Sequence, residues 1–264
     1  MDLQLTNKKA LVTGSTAGIG FAIASLLAQE GAAVVVNGRT QRRVEEAVQR
    51  IRSENKGTQV IGVAADLSTK DGVALMTSKV PEVDILVNNL GIFQPKPFLE
   101  IPDEDWMRFF EVNVLSGARL SRFYMPRMFK KNWGRIVFIS SESGLNIPVE
   151  MVHYGVTKTA QIALARGLAE STAGTGVTVN SVLPGPTRSE GVEQFVQELT
   201  KGKGMDSAAF ETEFFRSARP SSLLKRFETP EEVAAMVVYV CSPRASATNG
   251  AALRVDGGVV RSIV

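Results

Sequence analysis

The stretch Ala10-Leu11-Val12-Thr13-Gly14-Ser15-Thr16-Ala17-Gly18-Ile19-Gly20 decides the fold. A short apolar run passes into a glycine-rich turn, and an amphipathic run, Phe21 to Glu30, follows at once. Glycines at such a junction permit a tight turn and close approach of a ligand to the backbone. The helix that opens there offers unpaired N–H groups and positive potential to a phosphate. The spacing is G-x-x-x-G-x-G, not the commoner G-x-G-x-x-G. Strand-to-helix geometry alone can also demand glycine. The preceding strand, the following helix and the place near the start of the chain favour the phosphate-binding reading.

Outward from this turn the same alternation repeats. Val34-Val35-Val36 reads as a strand, and Arg42 to Glu54 as a helix with Val44, Ala47, Val48 and Ile51 on one face. Val60–Ala64, Ile85–Val87, Ile136–Ile139 and Val177–Val182 are further apolar strands, with helical runs over 70–79, 103–131 and 152–173 between and after them. Strands that are apolar at every position belong to a parallel sheet covered on both faces. The repeated strand–helix order predicts a doubly wound α/β fold. No linker interrupts it, so residues 1–264 read as one domain. The stretch 185–222, with Gly191, Gly202, Gly204 and several phenylalanines, breaks the rhythm and reads as an irregular segment, with 188–222 as a substrate lid. Thr229-Pro230-Glu231-Glu232 is a helix start.

Composition narrows the function. Across 264 residues, 30 Lys and Arg face 27 Asp and Glu, a balance too even to argue for nucleic acid or an acidic membrane surface. Cys241 is the single cysteine and His153 the single histidine, which excludes an intrachain disulfide and multi-His zinc sites. No apolar run approaches the ~18 residues of a membrane span. The first residues lack the pattern of a signal peptide, so the expected location is cytoplasmic. A hydrolase would have to pair Ser141 with His153, without any G-x-S-x-G elbow.

Other candidate ligand contacts fall at strand ends, where open α/β sheets bind. The second strand leads into Asn37-Gly38-Arg39. An acid there would accept from an NAD ribose, whereas Arg39 suits a 2′-phosphate and Gly38 leaves it space. This favours NADP, with NAD as the alternative. Asp66-Leu67 follows the third strand, and Asn88-Asn89-Leu90-Gly91 runs on from the fourth.

Tyr154 and Lys158 are four apart on a helix and so share a face. Ser141 follows the fifth strand. Hydride transfer to a carbonyl needs a proton donor at the oxygen. A phenol with an ordinary pKa of about 10 is a poor base in the reverse direction unless an ammonium lowers that value. Ser141 can hold the substrate oxygen.

These residues resemble the short-chain dehydrogenase/reductase family over residues 8–258, through Thr13-Gly14 to Gly20, Asn88-Asn89-x-Gly91, Asn113, Ser141, Tyr154-x-x-x-Lys158, Pro184-Gly185, Thr248-Asn249-Gly250 and Asp256-Gly257-Gly258. The 3-oxoacyl-thioester reductases and sugar or alcohol dehydrogenases are the most similar in style. The resemblance implies a seven-stranded sheet with NAD(P) across its C-terminal edge and a ketone or secondary alcohol as substrate. It implies Tyr154 as acid/base, Lys158 on the nicotinamide ribose and lowering the tyrosine pKa, Ser141 on the substrate, and Asn113 holding a relay water. Cofactor contacts are implied for Gly14, Ser15, Thr16, Gly18, Ile19 and Gly20 in the first turn, with Tyr154 and Lys158. Arg39, Asp66, Leu67, Asn88 and Gly91 follow, and then Pro184, Gly185 and Thr187. Two departures stand out: Leu90 where the family usually has Ala, and Ala17 where NADP-preferring members often carry a basic residue. The helical runs 103–131 and 152–173 pair between subunits in this family, which implies a homotetramer. A catalytically idle dinucleotide sensor on the same fold is the alternative.

Overall fold

Successive side chains of a strand point to opposite faces, so a run buried at every position needs cover on both sides. A computed structural model, describing residues 1–189 and 206–263, has that arrangement. Strands β1 (Lys9–Val12), β2 (Ala33–Gly38), β3 (Val60–Ala64), β4 (Ile85–Asn88), β5 (Gly134–Ile139), β6 (Val177–Pro184) and β7 (Ala252–Val255) form one sheet ordered β3-β2-β1-β4-β5-β6-β7. Every pairing is parallel, and Leu11 sits opposite Val35 on one side and Leu86 on the other.

Two apolar cores follow from this alternation. Ala10, Val12, Val34, Val36 and Val87 face α1 (Gly18–Gln29), α2 (Gln41–Glu54) and α8 (Pro230–Cys241). Leu11, Val35, Leu86, Ile136 and Phe138 face α3 (Lys70–Lys79), α5 (Ser116–Lys131) and α6 (Val152–Glu170). The order of strands reverses at β1/β4, which opens a crevice above their C-terminal ends. The glycine turn and Asn89 border that crevice.

Three differences from the sequence reading have local causes. The run 103–131 is α4 (Asp103–Phe110), a π-helical turn at Glu111–Leu115 and then α5. Apolar periodicity persists through a π turn, so the pattern cannot reveal it, yet such turns often mark functional positions; this one contains Asn113. Strand β7 is mostly half-buried, so it lacks the continuous apolar signature of the six strands legible from pattern. Within the stretch read as irregular lies α7 (Ser207–Ser217), whose N-cap Asp206 accepts from Ala209 N at 2.7 Å. Residues 190–205 of the expected lid lie outside the described residues. The helix start at Thr229 is as expected: its hydroxyl accepts from Glu232 N, and the Glu232 carboxylate accepts from Thr229 N at 2.8 Å.

Candidate active site

β1 delivers the chain to Gly14, whose φ of +59° places it in the left-handed region, as does the +55° of Gly18. At Gly20 the constraint is space: a Cβ would lie 2.4 Å from Asn89 Nδ2 and 2.5 Å from the Gly14 carbonyl oxygen. Helix α1 then starts with Ala17 as N-cap, without a side-chain cap and without an acid in its first turn. An uncapped helix N-terminus behind a glycine cradle suits an anionic diphosphate. The residues present therefore fit a dinucleotide.

Two asparagines brace this turn. Asn37 Oδ1 accepts from Gly14 N at 3.2 Å, while its Nδ2 donates to the carbonyls of Val63 and Ala65. Asn89 Nδ2 donates to the carbonyls of Thr13 and Gly14 at 2.9 and 3.1 Å. Of the Asn88-Asn89 pair, Asn89 thus faces the turn. Asn88, expected at the cofactor, is buried and its Nδ2 donates to Ser121. Side chains alternate along an extended chain, so adjacent asparagines take opposite sides. Ser15 is likewise turned inward: it is fully buried, its hydroxyl donates to Val12 O, and its N–H donates to Asn37 O. Its donors serve the fold.

A shallow cavity of about 300 Å³ beside the turn is lined by Thr16, Gly18, Ile19, Arg43 and Asn89, among others. Arg39 stands exposed at the end of β2, outside that lining, whereas Arg43, near the start of α2, belongs to it. The sequence reading missed Arg43, although it lies only four positions beyond Arg39. Gly38 also has a reason beyond leaving space: a Cβ there would meet Thr16 Cγ2 at 2.5 Å. Asp66 is exposed at the end of β3, where its carboxylate accepts from Ser68 N and Oγ; Leu67 is buried.

The second cavity, about 500 Å³, joins the two halves of the site. Its wall includes Ile19 and Asn89 from the turn region, and Ser141, Tyr154 and Lys158 beyond. Gly91, Pro184, Gly185 and Thr187 line it as well. Ser141 follows β5, and its Oγ accepts from Ser143 N at 3.1 Å, which leaves its O–H to donate. Lys158 is buried, with Nζ donating to Ile139 O at 2.9 Å and lying 5.6 Å from the Tyr154 ring centre. A Cβ at Gly91 would reach within 3.3 Å of Nζ. Asn113 Oδ1 accepts from Ile92 N, its Nδ2 donates to Ile92 O and Thr157 Oγ1, and its main-chain oxygen accepts from Gln161 Nε2. Gly185 N donates to Val255 O at 2.7 Å and to Glu228 Oε2 at 3.3 Å; burial pushes that carboxyl up to about 8.

Burial dominates the electrostatics of the pair. Burial pushes the Tyr154 phenol up to about 12, with the Ser141 hydroxyl pulling against it. Burial likewise pushes the Lys158 amine down to about 7. Desolvation is the largest cause for both groups in the cofactor-free fold.

A family model described as short chain dehydrogenase matches residues 8–200. The chain belongs to the short-chain dehydrogenases. Across its whole length it is 48% identical over 263 residues to uncharacterized oxidoreductase YvaG of Bacillus subtilis (strain 168), covering all of both chains. It is 34% identical over 264 residues to the 3-oxoacyl-[acyl-carrier-protein] reductase FabG of Aquifex aeolicus (strain VF5), covering 98% of this chain and all of that one. L-sorbose reductase of Gluconobacter frateurii, solved with NADPH and L-sorbose, superposes with a TM-score of 0.94 at 32% identity over all of both chains. The short-chain dehydrogenase described here is an NAD(P)-dependent oxidoreductase, and nothing supports the idle-sensor alternative.

Proposed function

We propose that the protein reduces a ketone to a secondary alcohol with NADPH, and that Tyr154 supplies the proton. The observation that carries this reading is the convergence of Ser141, Tyr154 and Lys158 on one cavity that also reaches Ile19 of the glycine turn. The dinucleotide supplies the hydride when bound. Tyr154, held protonated, donates to the carbonyl oxygen as negative charge develops there. Ser141 donates a second hydrogen bond to the same oxygen. As the ammonium, Lys158 Nζ keeps two hydrogens beyond its bond to Ile139 O, enough for the ribose hydroxyls. Asn113 positions Ile92 and Thr157, and in this reading its carbonyl, which accepts from Gln161, also holds the relay water. Spectrophotometric NADPH loss against a panel of ketones tests the reading; no turnover with any of them would count for a non-catalytic protein.

Two positive groups support NADP over NAD. Arg39 follows β2 and Arg43 lines the cavity beside the turn. Charge-assisted hydrogen bonds contribute ~1.5–3 kcal/mol, and exposure draws Arg39 to the low end. We expect kcat/KM with NADPH to exceed that with NADH by about tenfold or more. Arg39→Ala lowers the NADPH value and leaves the NADH value almost unchanged, and Arg43→Ala acts in the same sense. Equal efficiency of wild type with both cofactors would show these arginines to be surface charges only. The cofactor contacts of Gly14, Thr16, Gly18, Ile19, Gly20, Asp66, Leu67 and Gly91 belong to the same reading.

The segment 188–222 serves in this reading as the substrate lid, with Phe210 and Phe214 of α7 in the cavity wall. The location is cytoplasmic and the assembly a homotetramer; exposed Phe98, Leu99, Met107 and Leu115 near α4 support burial against a second copy. Light scattering is expected to give about four times the 28.5 kDa of one chain, and a monomer at micromolar concentration would refute the assembly.

A further inference from the structure

Beside the Ser141–Tyr154 end of the cavity lies a buried ion cluster that the mechanism does not use. Glu142, directly after Ser141, lines the cavity and is 2% exposed. Its Oε1 accepts from Arg219 Nε at 2.9 Å and from Ser143 Oγ at 3.0 Å. Its Oε2 is equally buried and accepts from nothing among the described residues. Arg219, beyond the end of α7, lines the same cavity and is 8% exposed. Its Nη1 donates to Glu150 Oε1 at 3.1 Å and to Ala218 O at 2.8 Å; Nη2 has no hydrogen bond among the described residues. Burial raises the Glu142 carboxyl, while Arg219 works to keep it ionised. The charges of both residues reach the Tyr154 phenol.

A buried carboxylate oxygen without a partner is costly to retain in a wall otherwise rich in Phe93, Met151, Phe210 and Phe214, and the Arg219 Nη2 has a hydrogen bond to give. A ligand group that offers both a donor and an acceptor would complete them. A hydroxyl does so. A carboxylate would satisfy Nη2 but be repelled by Glu142 and Glu150, and an ammonium would satisfy Oε2 but leave Nη2 without an acceptor and face the Arg219 charge. An alkyl chain would leave both groups without a partner, and a site built to hydrogen-bond a hydroxyl discriminates strongly against an analogue that lacks it.

We propose that the Glu142–Arg219 pair selects neutral ketones carrying hydroxyl groups next to the carbonyl, in the manner of an open-chain sugar. This rests on the ketone-reductase reading above. The step itself is unchanged: hydride to the carbonyl carbon, proton to its oxygen, with the neighbouring hydroxyl bonded to the pair.

The test uses three ketones with the same four-carbon skeleton, each with NADPH: 1,3,4-trihydroxy-2-butanone, 2-butanone and 3-oxobutanoate. Wild type is expected to show kcat/KM for the trihydroxy ketone about 100-fold or more above 2-butanone, and well above 3-oxobutanoate. Glu142→Gln is expected to reduce the ratio of trihydroxy ketone to 2-butanone at least tenfold, whereas a merely structural role would lower both values together and leave the ratio in place. Arg219→Lys keeps the charge but loses the planar fork, and carries the same expectation if Glu142→Gln fails to fold. Wild type reducing 2-butanone or 3-oxobutanoate as well as the trihydroxy ketone overturns this proposal and leaves the ketone-reductase reading standing. No NADPH loss with any ketone overturns both.

Discussion

Replacing Tyr154 by Phe is expected to lower turnover of NADPH with a ketone by about 10²–10⁴-fold, the usual contribution of a general acid. The change removes one oxygen and leaves the ring, so the edge contact with Phe93 at 6.4 Å between ring centres and the cavity shape survive. Affinity for the dinucleotide, measured by fluorescence titration, should therefore change little. The loss belongs to kcat more than to KM, because the phenol acts as charge develops on the carbonyl oxygen. A phenol pushed up to about 12 also predicts that loss of the phenolic proton does not itself limit reduction until high pH. Near-normal turnover by Tyr154→Phe would remove Tyr154 from the reaction.

The second large effect is a pH-dependent change of stability in Lys158→Met. In the folded, cofactor-free protein the amine titrates near 7, against 10.5 for the ordinary group. Between those values the unfolded chain binds more protons, so wild-type stability rises with pH there, and the cost of the buried ammonium is fully present only below about 7. Each pH unit inside the window changes the balance by about 1.4 kcal/mol. Methionine does not titrate. Wild type should thus gain on Lys158→Met by roughly 2 kcal/mol between pH 7.5 and 9.5. Glu228 acts in the opposite sense, since its raised carboxyl loses stability as pH climbs from 4.5 to about 8. Cys241, raised to about 12, does so above 9. Taking the difference between wild type and variant cancels both. Urea unfolding at three pH values measures it, and a constant difference would mean that Lys158 keeps its charge in the fold.

These two predictions also explain a feature of the site. The helix spacing of Tyr154 and Lys158 puts both on one face, but the pair is not tuned by proximity alone. The tyrosine is held as an acid and the lysine poised near neutrality by the closing of α6 over β5 and the loop after it.

The sequence by itself determined the parallel sheet, the glycine turn and the trio Ser141, Tyr154 and Lys158. Each is carried by neighbours in the chain: apolar runs, a turn that needs left-handed backbone at Gly14 and Gly18, and two residues one helical turn apart. Tertiary structure alone decided the rest, because burial and long-range pairing have no local signature. It turned Ser15 and Asn88 inward to brace the strands and brought Asn89 and Asn37 to the turn. It set a π turn around Asn113 and made a helix of 207–217. It moved the acidities of Tyr154 and Lys158 apart through desolvation. Lastly it joined Glu142 to Arg219, 77 positions along the chain, in a contact that neither residue's neighbours announce, since two charges lose their water together only when the fold closes around both.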